Sequence, residues 1–309
     1  MQEHIVVYFK GLAMGAADVV PGVSGGTIAL ITHIYERLIK AIDKVSITLI
    51  LQLFSRNRKA AWQSLDGSFV LTLALGISTS ILLASSWVSC LLTNYPIPLW
   101  AFFFGLILAS AFVLNNSVSK WNIISLSSMV IGFCVAFGIS LITPNTGSDS
   151  LLYLFLCGVL VVIAMILPGI SGAFILILLG AYETAINSLE KIKNFEVEGL
   201  VVFLVMASGG LVGLKAFAKI LRWLFTQHKN IVLAGMTGFL LGSLYKVWPW
   251  KQVTSFYTNS DGLEEPLTTA VVLPDLANPD AQILLASTAF IAALFLLYFL
   301  QKFSFKGHG

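Results

Sequence analysis

PGVSGG at residues 21–26 interrupts an apolar run with a proline, three glycines and a serine, and PGISGA at residues 168–173 repeats the interruption. Shifted by 147 residues, GLAMGAADVVPGVSGGTIALITHIYERLIKAIDK (11–44) and GVLVVIAMILPGISGAFILILLGAYETAINSLEK (158–191) align without gaps. Eleven of 34 positions are identical, among them Pro21/Pro168, Gly22/Gly169, Ser24/Ser171, Gly25/Gly172, Tyr35/Tyr182 and Glu36/Glu183. Farther along the offset becomes 133, where Gly76 meets Gly209, Gly105 meets Gly238 and Ser110 meets Ser243; the connector before this point is 14 residues shorter in the second half. A two-fold internal repeat is the signature of many secondary transporters.

The material between the interruptions sets the class. The 309 residues are 57% hydrophobic and 11% charged, less than half the roughly 25% charge of a soluble domain. The apolar runs are continuous and not alternating, which argues for membrane helices and against a barrel. A net charge of +3 makes nucleic acid an unsuitable partner. Cys90, Cys134 and Cys157 lie in apolar blocks with no second ligand at metal spacing, and His4, His33, His228 and His308 pair with no carboxylates at such spacing. Neither a metal nor a cofactor is expected. The first apolar run is interrupted by Lys10 and has a counterpart in the second half, so it is read as mature structure and not as a signal peptide.

Each repeat continues with three apolar runs, at about 69–92, 97–114 and 121–142 in the first half and about 199–226, 230–248 and 281–302 in the second. Each has roughly the 20 residues that cross a hydrocarbon core. The motif segments are different. A continuous helix over residues 5–39 would be about 50 Å long, too long for one crossing of about 30 Å. Two full spans or a re-entrant hairpin both enter and leave on one side. Each repeat then crosses an odd number of times, and the two repeats are inverted. With the N-terminus in the cytoplasm, fourteen Lys and Arg fall on the cytoplasmic side and four (Lys191, Lys193, Lys246, Lys251) on the other, as the positive-inside rule asks. The segment 249–280 is then extracytoplasmic and both termini are cytoplasmic. We favour the hairpin, because Thr27 to Ile39 makes only about 20 Å of helix. The expected fold is an all-α polytopic membrane protein with an inverted two-fold repeat, each half a re-entrant helical hairpin plus three transmembrane helices. The first repeat covers 1–148 (hairpin about 5–44) and the second 149–309 (hairpin about 151–191).

The motifs suggest chemistry. The first N–H groups of a helix have no partner within it and carry about half a positive charge. Glycines let a ligand approach that backbone, and a serine there caps or donates. Gly22, Ser24, Gly25, Gly26 and Thr27, facing Gly169, Ser171, Gly172 and Ala173 from the opposite side, would make an anion site that suits phosphate. Lys215, Lys219 and Arg222 share one helix face, and Lys215 is deep enough to touch substrate, whereas Lys219 and Arg222 read as interfacial anchors. Asp18 lies in an apolar stretch with Met165 as its counterpart; it either carries a coupling proton or braces the loop. Glu36, Arg37 and Glu183 are candidates for gating, salt bridges or caps.

The stretch FKGLAMGAADVVPGVSGGTIALITHIYERLIKAI (9–42), with the second PGISGA, closely resembles the PopT family over nearly the whole chain. That resemblance implies an undecaprenyl-phosphate translocase (a flippase) of the bacterial cytoplasmic membrane, returning the lipid carrier of cell-wall (peptidoglycan) synthesis from the outer to the inner leaflet. The phosphate head would be held by the paired half-helix starts, and the tail would stay among membrane lipids. A coupling proton or sodium ion and the oligomeric state stay open. His33 stands where the family pattern leads us to expect glycine. A small-anion channel or exchanger is the rival; an enzyme acting on lipid phosphates would need a nucleophile with its base, or a metal cluster, and neither is evident.

Overall fold

Lipid cannot satisfy backbone polar groups, so apolar sequence at membrane depth must bond within itself as helix. In a computed structural model, the described residues are 2–19, 24–55, 57–143, 147–258, 264–275, 278 and 281–305, with the backbone alone at 2, 47, 50, 84–86, 89, 255–258, 264–269, 300 and 303–305. The first half runs α1 (Gln2–Asp18), α2 (Gly25–Ile31), α3 (Tyr35–Lys44), α4 (Ile47–Leu53), α5 (Arg58–Ser64), α6 (Gly67–Asn94), α7 (Pro96–Asn116) and α8 (Ile123–Leu141). The second runs α9 (Leu151–Ile166), α10 (Gly172–Leu178), α11 (Tyr182–Lys193), α12 (Val197–Gln227), α13 (Lys229–Ser243), strands β1 (Lys251–Thr258) and β2 (Glu264–Val271), and α14 (Ile283–Phe305). The short helices α4 and α5 have no counterpart in the second half, which is where its connector is shorter.

α7, α8 and α12 are each long and apolar enough to cross a membrane alone. Two bent pairs reach that standard together: α5 with the start of α6, bent by 66°, and α10 with α11, bent by 108°. α9 and α14 are further apolar helices. Large apolar side chains such as Leu82, Phe112, Ile123 and Leu284 face outward, the arrangement of a multi-pass membrane protein whose solvent is lipid.

Helices with apolar exteriors gain little from water exclusion in lipid, so close packing of small residues joins them. α1 lies on α6 and α9 on α12; α7 lies on α14 and α8 on α13. Equivalent glycines make equivalent contacts. A Cβ on Gly76 would overlap the carbonyl oxygen of Tyr8, and one on Gly209 would overlap that of Phe155. A Cβ on Gly11 would meet the Leu73 oxygen, and one on Gly158 the Met206 oxygen. Each pair is related by the repeat offsets of the sequence.

The core is centred on α2, all of whose residues are buried. A seven-residue helix is not stable alone; it persists because Ile28, Ala29, Leu30 and Ile31 are packed into the main apolar cluster with Tyr35, Ile39, Ile107 and Leu240.

Three features differ from the sequence expectation. Thr27 to Ile39 is not one helix. It breaks at Thr32–Ile34, because His33 adopts a left-handed backbone (φ 60°), and its counterpart Gly180 does the same (φ 61°). α13 ends at Ser243, short of the 230–248 apolar run. The segment 249–280 also contains structure, since β1 and β2 pair antiparallel from Lys251↔Val271 to Thr258↔Glu264. KQVTSFYT, rich in β-branched and aromatic residues, carries that signal.

Candidate functional site

The two interruptions meet in the core. Ser24 Oγ donates to the Met165 carbonyl oxygen at 3.1 Å, and the Tyr35 hydroxyl donates to that of Ile166 at 3.0 Å. The Gly169 N–H donates to Thr27 Oγ1 at 3.1 Å. Met165 and Ile166 end α9, whose last carbonyls lack partners inside the helix. The first motif therefore caps the helix that leads into the second. The approach is close enough that a Cβ on Gly26 would stand 2.8 Å from the Ile166 oxygen. Gly169 turns the chain at φ 88°, a conformation natural only to glycine. Gly22 lies outside the described residues.

The start of α2 already receives a carboxyl group. Ser24 is its N-cap in extended backbone, and its Oγ accepts the Gly26 N–H at 3.1 Å. The Gly25 N–H donates to Asp18 Oδ1 at 2.6 Å. Asp18, at the end of α1, thus places its carboxylate on the positive end of the buried half-helix. The second repeat keeps the geometry and drops the charge. A Cβ on Gly25 would stand 2.5 Å from Asp18 Oδ2, and one on Gly172 would stand 2.5 Å from Met165 Cγ. Ser171, the N-cap of α10, is extended but makes no capping hydrogen bond through its side chain. Ser171 and Gly172 are buried, and Ala173 is exposed.

The remaining candidates sit elsewhere. Lys215 is exposed and donates to the Asp43 carbonyl near the end of α3, while Arg222 pairs with the Asp43 carboxylate at 3.0 Å. That basic face of α12 holds α3 and does not reach the motif junction through any described contact. Arg37 binds Glu3 at 2.7 Å and Asp66 through two nitrogens at 2.5 and 3.0 Å, with its guanidinium 4.3 Å from the Phe69 ring centroid. This fork holds the Asp66 carboxyl below the usual carboxylate range. Glu36 pairs with Lys229 of α13 at 2.6 Å. Glu183 is exposed in the first turn of α11. Among the described residues no group of His, Cys, Asp and Glu could hold a metal ion.

Sequence reasoning passed over KVWPWK (246–251), two lysines around Trp-Pro-Trp just after α13. Lys246 Nζ stands 4.0 Å from the centroid of Phe174, in the first turn of α10, and Lys251 Nζ stands 3.9 Å from that of Trp100. Lys251 also donates to the Lys246 carbonyl at 2.5 Å. Burial pushes the Lys251 ammonium down to about 7, with the neighbouring Lys246 charge adding to the shift. The signal available was a pair of cations inside an interfacial tryptophan cluster.

Comparison with known proteins agrees with this membrane architecture. The chain is 38% identical over 308 residues to a polyprenyl-phosphate transporter of Vibrio cholerae, covering 98% of each chain. It is 33% identical over 252 residues to a polyprenyl-phosphate transporter of Staphylococcus aureus, covering 78% of this chain and 84% of that one. No solved structure matches. The relatives are named as transporters and not as enzymes. Residues 14–265 match the model of the VCA0040-like, undecaprenyl phosphate translocase-like proteins, and the chain belongs to that family.

Proposed function

We propose that this protein moves undecaprenyl phosphate from the outer to the inner leaflet of a bacterial cytoplasmic membrane, by alternating access between two inverted repeats. Both termini are then cytoplasmic and the β1–β2 hairpin is outside. The observation that carries the proposal is the carboxylate of Asp18 on the N–H of Gly25. A half-helix start at the centre of an apolar body donates to a carboxyl oxygen there, and a phosphate monoester offers the same kind of acceptor. The polyprenyl phosphate named for the relatives has a compact anionic head for this junction and an apolar tail that stays in lipid.

The junction is one-sided. Ser24 and Tyr35 cap α9; by the repeat offset, the mirror contacts are Ser171 Oγ to the Asp18 carbonyl and Tyr182 OH to the Val19 carbonyl. Rocking one repeat against the other would exchange one set for the other and open the site to the opposite face. Protonating Asp18 would weaken its bond to Gly25 and clear the start of α2 for phosphate, which makes Asp18 the group through which a proton would couple.

The test is translocation of a fluorescent polyprenyl phosphate in proteoliposomes, with chloride flux measured alongside. It compares wild type with Ser24→Ala/Ser171→Ala protein that keeps its wild-type melting temperature. Lipid movement in wild type, lost in the double variant and without chloride flux, is the expected result. Chloride flux without lipid movement would overturn it and make the protein an anion channel or exchanger.

A further inference from the structure

The tryptophan cluster after α13 marks a depth. Trp248 lies 5.4 Å from Phe104 and 5.7 Å from Trp250, centroid to centroid, in edge-on contacts. Its indole N–H donates to the Val272 carbonyl at 3.0 Å, and that of Trp250 donates to Ala281 at 2.9 Å. Indoles with an apolar body and a satisfied N–H gather where hydrocarbon gives way to head groups. Lipid phosphates lie at that depth.

Two ammonium groups share this place. Both lysines are partly buried, and among the described residues no carboxylate pairs with either. Their neighbours are the Phe174 and Trp100 rings and one main-chain oxygen. An ammonium has three donors; among the described residues one hydrogen bond links the pair, from Lys251 to the Lys246 carbonyl, and each cation repels the other. A snorkelling lysine normally finds water or a carboxylate. With both ammonium groups protonated the arrangement carries two positive charges, close to the charge a phosphate monoester carries near neutral pH.

An apolar groove adjoins the pair, lined by Phe104, Phe133, Phe137, Leu241, Tyr245 and Trp248. Its continuity with the cations is covalent and helical. Tyr245 precedes Lys246, and Phe104 lies one turn of α7 after Trp100, the ring beneath Lys251. Val271, which also lines the groove, is the β-partner of Lys251. Stacked Phe133 and Phe137 (5.7 Å, 7°) and the edge-on Tyr245 make an aromatic wall, suited to the apolar, methyl-branched run of an isoprenoid chain.

We propose that Lys246 and Lys251 dock the phosphate head of a polyprenyl phosphate on the hairpin side of the membrane while its first isoprene units lie in the aromatic groove. The site loads the carrier before it enters the motif junction, and this rests on the translocase reading above. Lys246 reaches Phe174, in the first turn of α10, so a head held here is next to the second motif.

The test uses full-length protein in lipid nanodiscs, with farnesyl phosphate, inorganic phosphate and farnesol as probes and tryptophan fluorescence as the readout. Wild type should bind farnesyl phosphate well above the other two, since head and chain are both needed. Lys246→Gln/Lys251→Gln should weaken farnesyl phosphate binding by roughly tenfold or more, as expected for lost charge-assisted bonds, and should leave farnesol unchanged. Lys246→Arg/Lys251→Arg, which keeps charge and ring stacking, should restore most of the affinity. Equal affinity in the Gln variant at an unchanged melting temperature overturns the docking site and leaves the translocase reading standing. Inorganic phosphate binding as well as farnesyl phosphate overturns the lipid assignment. No binding of farnesyl phosphate by wild type overturns both. If the Gln variant fails to fold, the Arg variant decides: loss of affinity with charge retained refutes a simple cation pair.

Discussion

Gly213→Ala tests whether backbone proximity at the α9–α12 seam holds this protein together. A Cβ on Gly213 would stand 2.6 Å from the Val159 carbonyl oxygen and 2.9 Å from its Cα, against an ordinary contact of 3.4 Å or more. The obstacle is backbone, so no side chain can swing aside, and the helices must part by about 0.8 Å locally. A gap of that size forfeits roughly a quarter to a half of each affected dispersion contact, and overpacking of this kind costs about 1–3 kcal/mol. Alanine recovers about 0.5–1 kcal/mol of helix propensity. The net expectation is destabilisation by about 1–2 kcal/mol, or a fall in melting temperature of roughly 2–6 °C. Gly138→Ala is the control, because a Cβ there meets nothing within 4 Å. It should gain about 0.5–1 kcal/mol and melt slightly higher. Thermal unfolding of both variants in one detergent gives the comparison. Gly213→Ala melting with wild type, or Gly138→Ala falling as far, would refute close backbone packing as the force that joins the helices.

His33→Gly should stabilise the protein by about 0.5–1 kcal/mol, since a left-handed non-glycine residue carries about 1–2 kcal/mol of strain and glycine returns part of that through unfolded-chain entropy; a lower melting temperature would mean that His33 contacts outweigh the strain. Asp18→Asn keeps an acceptor for Gly25 but removes the charge that competes with phosphate at α2. It should bind farnesyl phosphate more tightly and turn over more slowly in proteoliposomes; unchanged affinity would rule out the competition. Lys251 is held down to about 7 by burial and then by Lys246, so its ammonium is present below that pH and lost above it. Farnesyl phosphate affinity should therefore fall as pH rises through 7, and Lys251→Arg, always charged, should flatten the profile; a wild-type profile as flat as the Arg variant's would contradict it.

Much of the architecture was legible because hydropathy and backbone chemistry speak locally. A continuous apolar run in lipid has to be helical, and proline, glycine and serine at 21–26 and 168–173 mark breaks wherever they stand in such a run. The departure at His33 was visible as a residue out of pattern. Its meaning, a left-handed turn shared with Gly180, is a dihedral angle that side-chain identity does not display. The periodicity of Lys215, Lys219 and Arg222 shows a common helix face but not what packs on it, and that neighbour is Asp43 of α3.

By itself, then, the sequence determined a helical membrane protein with a duplicated polar break and a lipid-phosphate resemblance, because periodicity, hydropathy and internal repetition are properties of a single chain. Only the tertiary structure decided that Asp18 folds back onto Gly25, that Ser24 and Tyr35 cap α9, and that Lys246 and Lys251 share an aromatic corner. Those contacts join residues from 5 to 151 positions apart. Their energy depends on distances of about 3 Å, which packing sets and spacing along the chain does not.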